Sequence, residues 1–316
     1  ALMSGPFAIG VDVGGTHAKL ALVGMDGAVA AEQRIDSGAG ATSASLLPAI
    51  VDAIDAIVAG AAASRYQVTA LGLAVPGFVD PDRTRSVFSP NTPGLVGDEL
   101  PTRLSRETGL PVTFDSDVNA AAFGEAAWGA GRGVPRFLAI TLGTGVGGGF
   151  MVDGSLVRIA GGTIGDIGHL ILDPEGRRCS AGCAGCAEAL VGAEGLVEIA
   201  RQAGAPAAVD RAALVIAAVS AGEAWAVRAA ERVGRLVGIL IASLMPILLP
   251  DRVAIVGGTT VMGSPFFGSV RATVDAIGGG PYVRDRAIVE GRYATVAGAV
   301  GAAALALQER RQAAGR

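Results

Sequence analysis

Three polar side chains, Asp115, Ser116 and Asp117, follow the apolar run Pro111-Val-Thr-Phe114 and precede a stretch of small residues, 120–128. The spacing predicts a short buried strand, a polar corner and a helix. In open α/β sheets, ligands bind at the carboxyl ends of strands. A carboxylate held there can take a proton from an alcohol. The competing reading is helix capping, for which Asp and Asn are the usual residues. Glycine-rich segments before and after this corner favour the chemical reading.

The first such segment is Asp12-Val-Gly14-Gly15-Thr16. Adjacent glycines let backbone N–H groups converge on anionic oxygens, and Thr16 adds a hydroxyl. Asp12 could hold Mg²⁺ directly or through water, and Lys19 could reach a phosphate. Alone this could be an ordinary glycine hairpin. A second loop, Gly143-Thr144-Gly145-Val146-Gly147-Gly148-Gly149, repeats it. Strands rather than helices are predicted after both turns, which argues against a dinucleotide-binding fingerprint. The G-x4-G-K-[ST] phosphate loop and the G-x-S-x-G elbow are absent from the sequence. A third pair, Gly257-Gly258, follows the apolar run 252–256. It could admit a flat ligand against the backbone, or be a plain strand-to-helix turn.

His169 with Cys179, Cys183 and Cys186 forms H-x9-C-x3-C-x2-C. Zinc takes four N/S ligands, and loop-borne His/Cys clusters are its usual source. The alternative is a set of unconnected small buried residues. An odd, clustered set of cysteines argues for metal rather than disulfides.

The elements that must carry these residues are legible from the hydrophobic pattern. Strands are predicted at 7–12, 17–23, 28–34 and 68–75, and a helix at 43–62. Segment 78–95 contains Pro81, Pro90 and Pro93 and is expected to be neither helix nor strand. A short helix at 99–107 leads into the strand at 111–114. The pattern then restarts, with a strand at 137–142, the second glycine turn and a hairpin at Asp153-Gly154, which suggests an internal duplication. Segment 161–185 is loop-rich. Helices follow at 187–203, 211–219 and 223–249, then a strand at 252–256 and helices at 265–277 and 295–311. At 316 residues the chain is long enough for two domains. The expected division is 1–118 and 119–296, with the closing helix 297–316 packing back on the first.

Composition narrows the partners. The chain has 25 Lys+Arg against 29 Asp+Glu and a net charge of −4. That leaves no basic footprint for nucleic acid and no polybasic membrane anchor. The longest apolar run, 236–250, contains Pro246 and falls short of the ~18–20 residues of a membrane span. Ala1 and Leu2 precede Met3 and read as additions to a native start, and no signal peptide follows. The expectation is a cytoplasmic protein.

Together the motifs resemble the ROK family of sugar kinases and regulators. The likeness covers essentially the whole chain. It rests on Asp12-x-Gly-Gly-Thr16, Val75-Pro-Gly77, Asp117-x-Asn-Ala-Ala-Ala, Leu142-Gly-Thr-Gly145, Gly168-His169, the segment 179–188 and Val256-Gly-Gly258. The resemblance implies an α/β, actin-like ATPase fold of two ribonuclease-H-like domains closing over ATP and sugar in a cleft. It implies that Asp117 is the base for the sugar 6-hydroxyl. It also implies that His169 and Glu188 bind the ring near C1 and C2, with the other imidazole nitrogen on zinc.

Three departures stand out. The family usually writes Asn-Asp where this chain has Ser116-Asp117, and Glu-x-Gly-His where it has Asp166-Ile-Gly-His169. Its zinc pattern is C-x-C-G-x-x-G-C-x-E, but the middle cysteine is Ala181 here and Cys183 comes two positions later. Cys183 can ligate only if the loop is re-routed. Ser116 and Asp166 would sit near C2 to C4, and both are shorter than the usual residues.

The expected activity is therefore phosphoryl transfer from ATP, with Mg²⁺, to the 6-hydroxyl of glucose or of an amino sugar. Kanosamine or an N-acetylmannosamine-type sugar are the amino-sugar options, and polyphosphate is an alternative donor. A homodimer or homotetramer is expected. The alternatives are a non-catalytic sugar sensor and a family regulator, which would need a helix-turn-helix ahead of the first strand.

Overall fold

The computed structural model describes residues 5–38, 40, 42–159, 162–278 and 287–315. The chain divides into two compact units. One holds 1–133, 149–165 and 295–316, and the other holds 134–148 and 166–294.

The first unit is built on a sheet of order β3-β2-β1-β4-β7. β1 (Pro6–Val13), β2 (His17–Gly24) and β3 (Val29–Asp36) form an antiparallel meander. β4 (Gln67–Val75) and β7 (Val112–Ser116) add parallel strands. Alternation along the strands sends Phe7, Ile9, Val11, Leu20, Leu71 and Leu73 to one face. There they meet Leu46, Ile50 and Ile54 of α1 (Ser43–Ala63) and Leu104 of α2 (Leu100–Thr108). By length and composition α1 could cross a membrane, but this apolar stripe is core. Its start is fixed by a capping box between Thr42 and Ser45.

The other face of the sheet carries α9 (Ala297–Ala314). The approach is close enough that a Cβ on Gly10 would overlap the Ala299 carbonyl oxygen. α3 (Asp117–Trp128) packs on α9 in the same way, with Gly301 against the Ala120 carbonyl. This contact is why α3 belongs to the first unit rather than starting the second, as a boundary after 118 supposed.

Segment 78–95 is more ordered than its prolines suggested. β5 (Phe78–Val79) and β6 (Ser86–Phe88) pair as a small hairpin. Asp80 closes it by accepting from the backbone N–H groups of Thr84 and Arg85 and from the Thr84 hydroxyl. These local bonds pull the Asp80 carboxyl below its ordinary range even though burial acts the other way.

The second sheet repeats the first in order, β10-β9-β8-β11-β12. It comprises β8 (Arg136–Leu142), β9 (Val146–Val152), β10 (Ser155–Leu156), β11 (Arg252–Val256) and β12 (Ala287–Glu290). β11 runs parallel to both β8 and β12. The helices of the second unit are α4 (Ala187–Val191), α5 (Ala193–Gln202), α6 (Ala212–Ser220), α7 (Ala224–Leu248) and α8 (Gly263–Ile277). The helix read as continuous over 187–203 is interrupted at Gly192, whose extended backbone ends α4 and caps α5.

Candidate active site

At the end of β7, Ser116 adopts an extended conformation, and its hydroxyl accepts from the Asn119 N–H at 3.4 Å. Ser116 is thus the N-cap of α3, where the capping reading looks to Asp or Asn. Asp117 is the first residue of the helix, half-buried, and its Oδ1 accepts from the Val118 N–H at 2.8 Å. That position lies at the positive end of the α3 dipole.

Asp115 is buried at 1% exposure and is held from several directions. Its Oδ1 accepts from the Ser116 N–H (2.8 Å), Asn119 Nδ2 (2.8 Å) and Arg158 Nη1 (3.0 Å). Its Oδ2 takes a close ion pair from Arg158 Nη2, with Arg83 Nη1 at 3.9 Å. Arg158 and Arg83 were missed by sequence reasoning, and Asn119 was noted only as part of the Asp117-x-Asn-Ala-Ala-Ala motif. Arg158 lies 43 residues from its partner, so no local spacing signals the pair.

The first glycine turn, Gly14–Thr16, joins β1 to β2 and places Asp12 opposite Lys19 in register. The Gly14 N–H donates to the His17 carbonyl, and the Ser37 hydroxyl donates to the Gly14 carbonyl. Burial raises the Asp12 carboxyl above its ordinary range, with Lys19 acting against the shift. Gly298, in the first turn of α9, lies so close that a Cβ there would overlap the Asp12 carboxylate. Lys19 Nζ donates to the Thr295 carbonyl at 2.6 Å.

In the second unit, Gly143 and Thr144 are exposed at the tip of their turn. The Gly143 N–H donates to the Gly145 carbonyl, and the Thr144 carbonyl accepts from the Ala193 N–H. Glu188 of α4 accepts the Val146 N–H at 3.2 Å, so this candidate sugar ligand is tied to the base of the glycine turn. Gly257 has φ 105°, and a Cβ there would overlap the Leu142 carbonyl. The neighbouring strand already accounts for that glycine. Gly258 opens the short helical turn that follows and has open space beside it.

His169 sits between two sets of groups. Its Nδ1 is 3.6 Å from Cys179 Sγ, and its Nε2 is 3.5 Å from Asp166 Oδ2. Burial raises the Asp166 carboxyl, and His169 opposes this. The ligand atoms of His169, Cys179 and Cys183 lie within 4.8 Å of one another. Cys183 reaches the group because the chain doubles back: the Cys179 N–H donates to the Cys183 carbonyl, and the Gly182 N–H to the Cys179 carbonyl.

Cys186 is not in that group of three. It is fully buried and caps α4, with its Sγ accepting from the Ala189 N–H. Burial pushes its thiol up to about 11. A nitrogen and two sulfurs at this spacing suit zinc, whose bonds to such atoms are about 2.0–2.3 Å long.

The ROK family model matches residues 8–309. The chain is 33% identical to a glucokinase of Halalkalibacterium halodurans, over 97% of each chain. It is 31% identical to an N-acetylmannosamine kinase of Escherichia fergusonii, over 75% of this chain and 77% of that one. Among solved structures, a ROK family glucokinase from Streptomyces griseus, in complex with glucose and AMPPNP, superposes with a TM-score of 0.84. It is 30% identical and covers 96% of this chain and 99% of its own. The fold is accordingly the α/β, actin-like ATPase fold. Matched along nearly its whole length in both sequence and structure, the chain belongs to the ROK family.

Proposed function

We propose that the protein is an ATP-dependent hexose kinase that phosphorylates the 6-hydroxyl of glucose or a related amino sugar. The observation that carries this is Asp117, a half-buried carboxylate at the N-terminus of α3, within a chain 33% identical to a glucokinase. Phosphoryl transfer needs positioning and charge neutralisation more than covalent chemistry. Asp117 orients the acceptor hydroxyl and takes its proton as the oxygen attacks the γ-phosphorus. His169 and Glu188 hold ring hydroxyls, and Ser116 and Asp166 border the C2 to C4 side.

The phosphates are held by Gly14, Gly15 and Thr16, by Gly143, Thr144 and Gly145, and by Lys19. Gly257 and Gly258 approach the nucleoside. Asp12 suits Mg²⁺ because a half-buried carboxylate just before the glycine turn offers a hard-oxygen ligand. The ion, when bound, neutralises phosphate charge.

His169, Cys179 and Cys183 would hold a structural zinc, with Cys186 as the candidate fourth ligand. This assignment is supported by the 4.8 Å grouping of three ligand atoms. Zinc would fix the imidazole through Nδ1 and leave Nε2 to the sugar side. A homo-oligomer is the expected assembly.

An amino sugar is favoured as a second reading by one feature. Asp166 is a carboxylate shorter than the usual Glu, and it could pair with an ammonium by a charge-assisted bond. The test is an ADP-release assay with ATP and, in turn, glucose, mannose, glucosamine, N-acetylmannosamine and kanosamine, with Asp117→Asn as control. Turnover of none of them by folded protein would overturn the proposal.

A further inference from the structure

The Asp117 corner is held from outside its own segment, and one side chain does most of that holding. Arg158 follows β10 and precedes the loop that leads to Asp166. Its guanidinium grips Asp115 with both terminal nitrogens, one on each carboxylate oxygen. The same Nη1 donates to the Gly162 carbonyl at 3.2 Å, where Asn119 Nδ2 also donates at 2.8 Å. Asn119 Nδ2 in turn donates to Asp115. Four groups thus form a closed set: Asp115 at the end of β7, Asn119 in the first turn of α3, Arg158, and the Gly162 carbonyl. Asp117 lies between two of its members in sequence.

The fork geometry matters because a bidentate guanidinium–carboxylate pair fixes orientation as well as distance. Asp115 and Asn119 are 1% and 0% exposed, so little water competes. Arg83 contributes at longer range, 3.9 Å from Asp115, while its Nη2 pairs with Glu309 at 2.9 Å. Asp80 and Arg85 belong to the hairpin turn rather than to this set.

We propose that Arg158 is a positioning residue for the phosphoryl-transfer step: through Asp115 and the Gly162 carbonyl it fixes the first turn of α3 and hence the Asp117 carboxylate. This rests on the reading of Asp117 as the base. It also means that a residue of the loop before Asp166 sets the geometry of the base.

The test compares wild type, Arg158→Ala, Arg158→Lys, Asp115→Asn and Asp117→Asn. A misplacement on the order of 1 Å costs about 10²-fold, so Arg158→Ala should lower kcat by about that factor while leaving the KM for ATP within about threefold. Free guanidinium, below denaturing concentration, should restore part of kcat to Arg158→Ala and none to Asp117→Asn. Arg158→Lys, a single point charge, should fall between the two. Hydrogen exchange at the Val118 and Asn119 amides should quicken in Arg158→Ala. If that variant does not fold, Asp115→Asn, which keeps an acceptor for the Ser116 N–H, should show the same kcat loss with an unchanged KM for ATP. Folded Arg158→Ala with kcat within about threefold of wild type, while Asp117→Asn is inactive, would overturn the proposal and leave the base reading standing. Near-normal kcat in Asp117→Asn would instead remove the base. Arg158 would then be judged by exchange alone, and unchanged rates at Val118 and Asn119 would overturn its positioning role.

Discussion

Asp12 and Lys19 face each other across the β1–β2 hairpin as register partners. One is a carboxylate raised by burial, and the other is an ammonium bonded to the Thr295 carbonyl two residues ahead of α9. The pair ties the first glycine turn to the C-terminal helix. Lys19 therefore has a protein partner in this structure, and a phosphate would compete with the Thr295 carbonyl for it.

The raised Asp12 carboxyl gives a prediction with a definite sign. A carboxyl raised in the folded state is bound to its proton more tightly there than in the unfolded chain. The cost of ionising it is absent below the ordinary value of 3.8 and grows as pH rises through the raised value. Asp12→Asn removes that cost, so its Tm should equal or exceed that of wild type at neutral pH, and the advantage should shrink towards about pH 4. Activity should move oppositely, with kcat/KM for MgATP about 10²-fold lower or worse. Calorimetry across pH and steady-state kinetics check both. A variant less stable than wild type at neutral pH would contradict the argument.

Asp117→Asn should lower kcat by about 10²–10⁴, the usual worth of a positioned acid/base group. The amide still fits the first helical position and keeps an oxygen for the Val118 N–H, so the variant should fold, with the lost dipole interaction contributing about 0.3–1 kcal/mol to its stability change. Rapid-quench or coupled assays beside thermal melts separate the two. A folded variant with near-normal kcat would exclude the base role.

Much of this was legible in the sequence because the informative features are local. The glycine turns and the apolar alternation placed β1, β2 and β8 within a residue or two, while β9 begins inside the stretch read as the second glycine turn. Period and turn chemistry act over neighbouring residues. The polar corner 115–117 was also visible, but not its division of labour. Nothing in the sequence says that Ser116 caps α3 while Asp115 turns inward to Arg158, because that depends on a side chain 43 residues away. The β5–β6 hairpin escaped for a related reason. Prolines argued against regular structure, and the Asp80 bonds that close it are short-range chemistry that a strand template does not count.

The cysteine loop makes a stoichiometric prediction. Protein purified without chelator should carry about one zinc per chain, held by His169, Cys179 and Cys183 with a fourth ligand. Cys183→Ala should weaken zinc by about 10-fold or more, by analogy with the loss of groups that support a site. Cys186→Ser tests whether its buried thiol, held protonated by burial, becomes the fourth ligand when zinc is present. Elemental analysis and competition with a chromophoric chelator give the numbers. Metal-free protein that is folded and active would end the zinc reading.

The sugar itself turns on two positions whose side chains are shorter than the family usually carries. A ring hydroxyl left without its partner in a closed site costs about 1–3 kcal/mol, or roughly 5- to 150-fold in selectivity. Asp166 leans on His169 Nε2 at 3.5 Å, and one more methylene would carry its carboxylate further from the backbone. Ser116 is fully buried and already spends its oxygen on the Asn119 N–H, so in this conformation it offers a ring hydroxyl less than an Asn amide would. Asn is as good an N-cap as Ser, which makes Ser116→Asn a test that preserves the start of α3. If the short side chains admit an amino substituent, Asp166→Glu and Ser116→Asn should each raise kcat/KM for glucose relative to kanosamine and glucosamine, and the double variant should raise it further. The two changes act on one ring, so their effects need not add. Wild-type protein that prefers glucose more than about tenfold over every amino sugar, with a ratio unmoved by either substitution, would show that a bridging water or the backbone already supplies the missing contact.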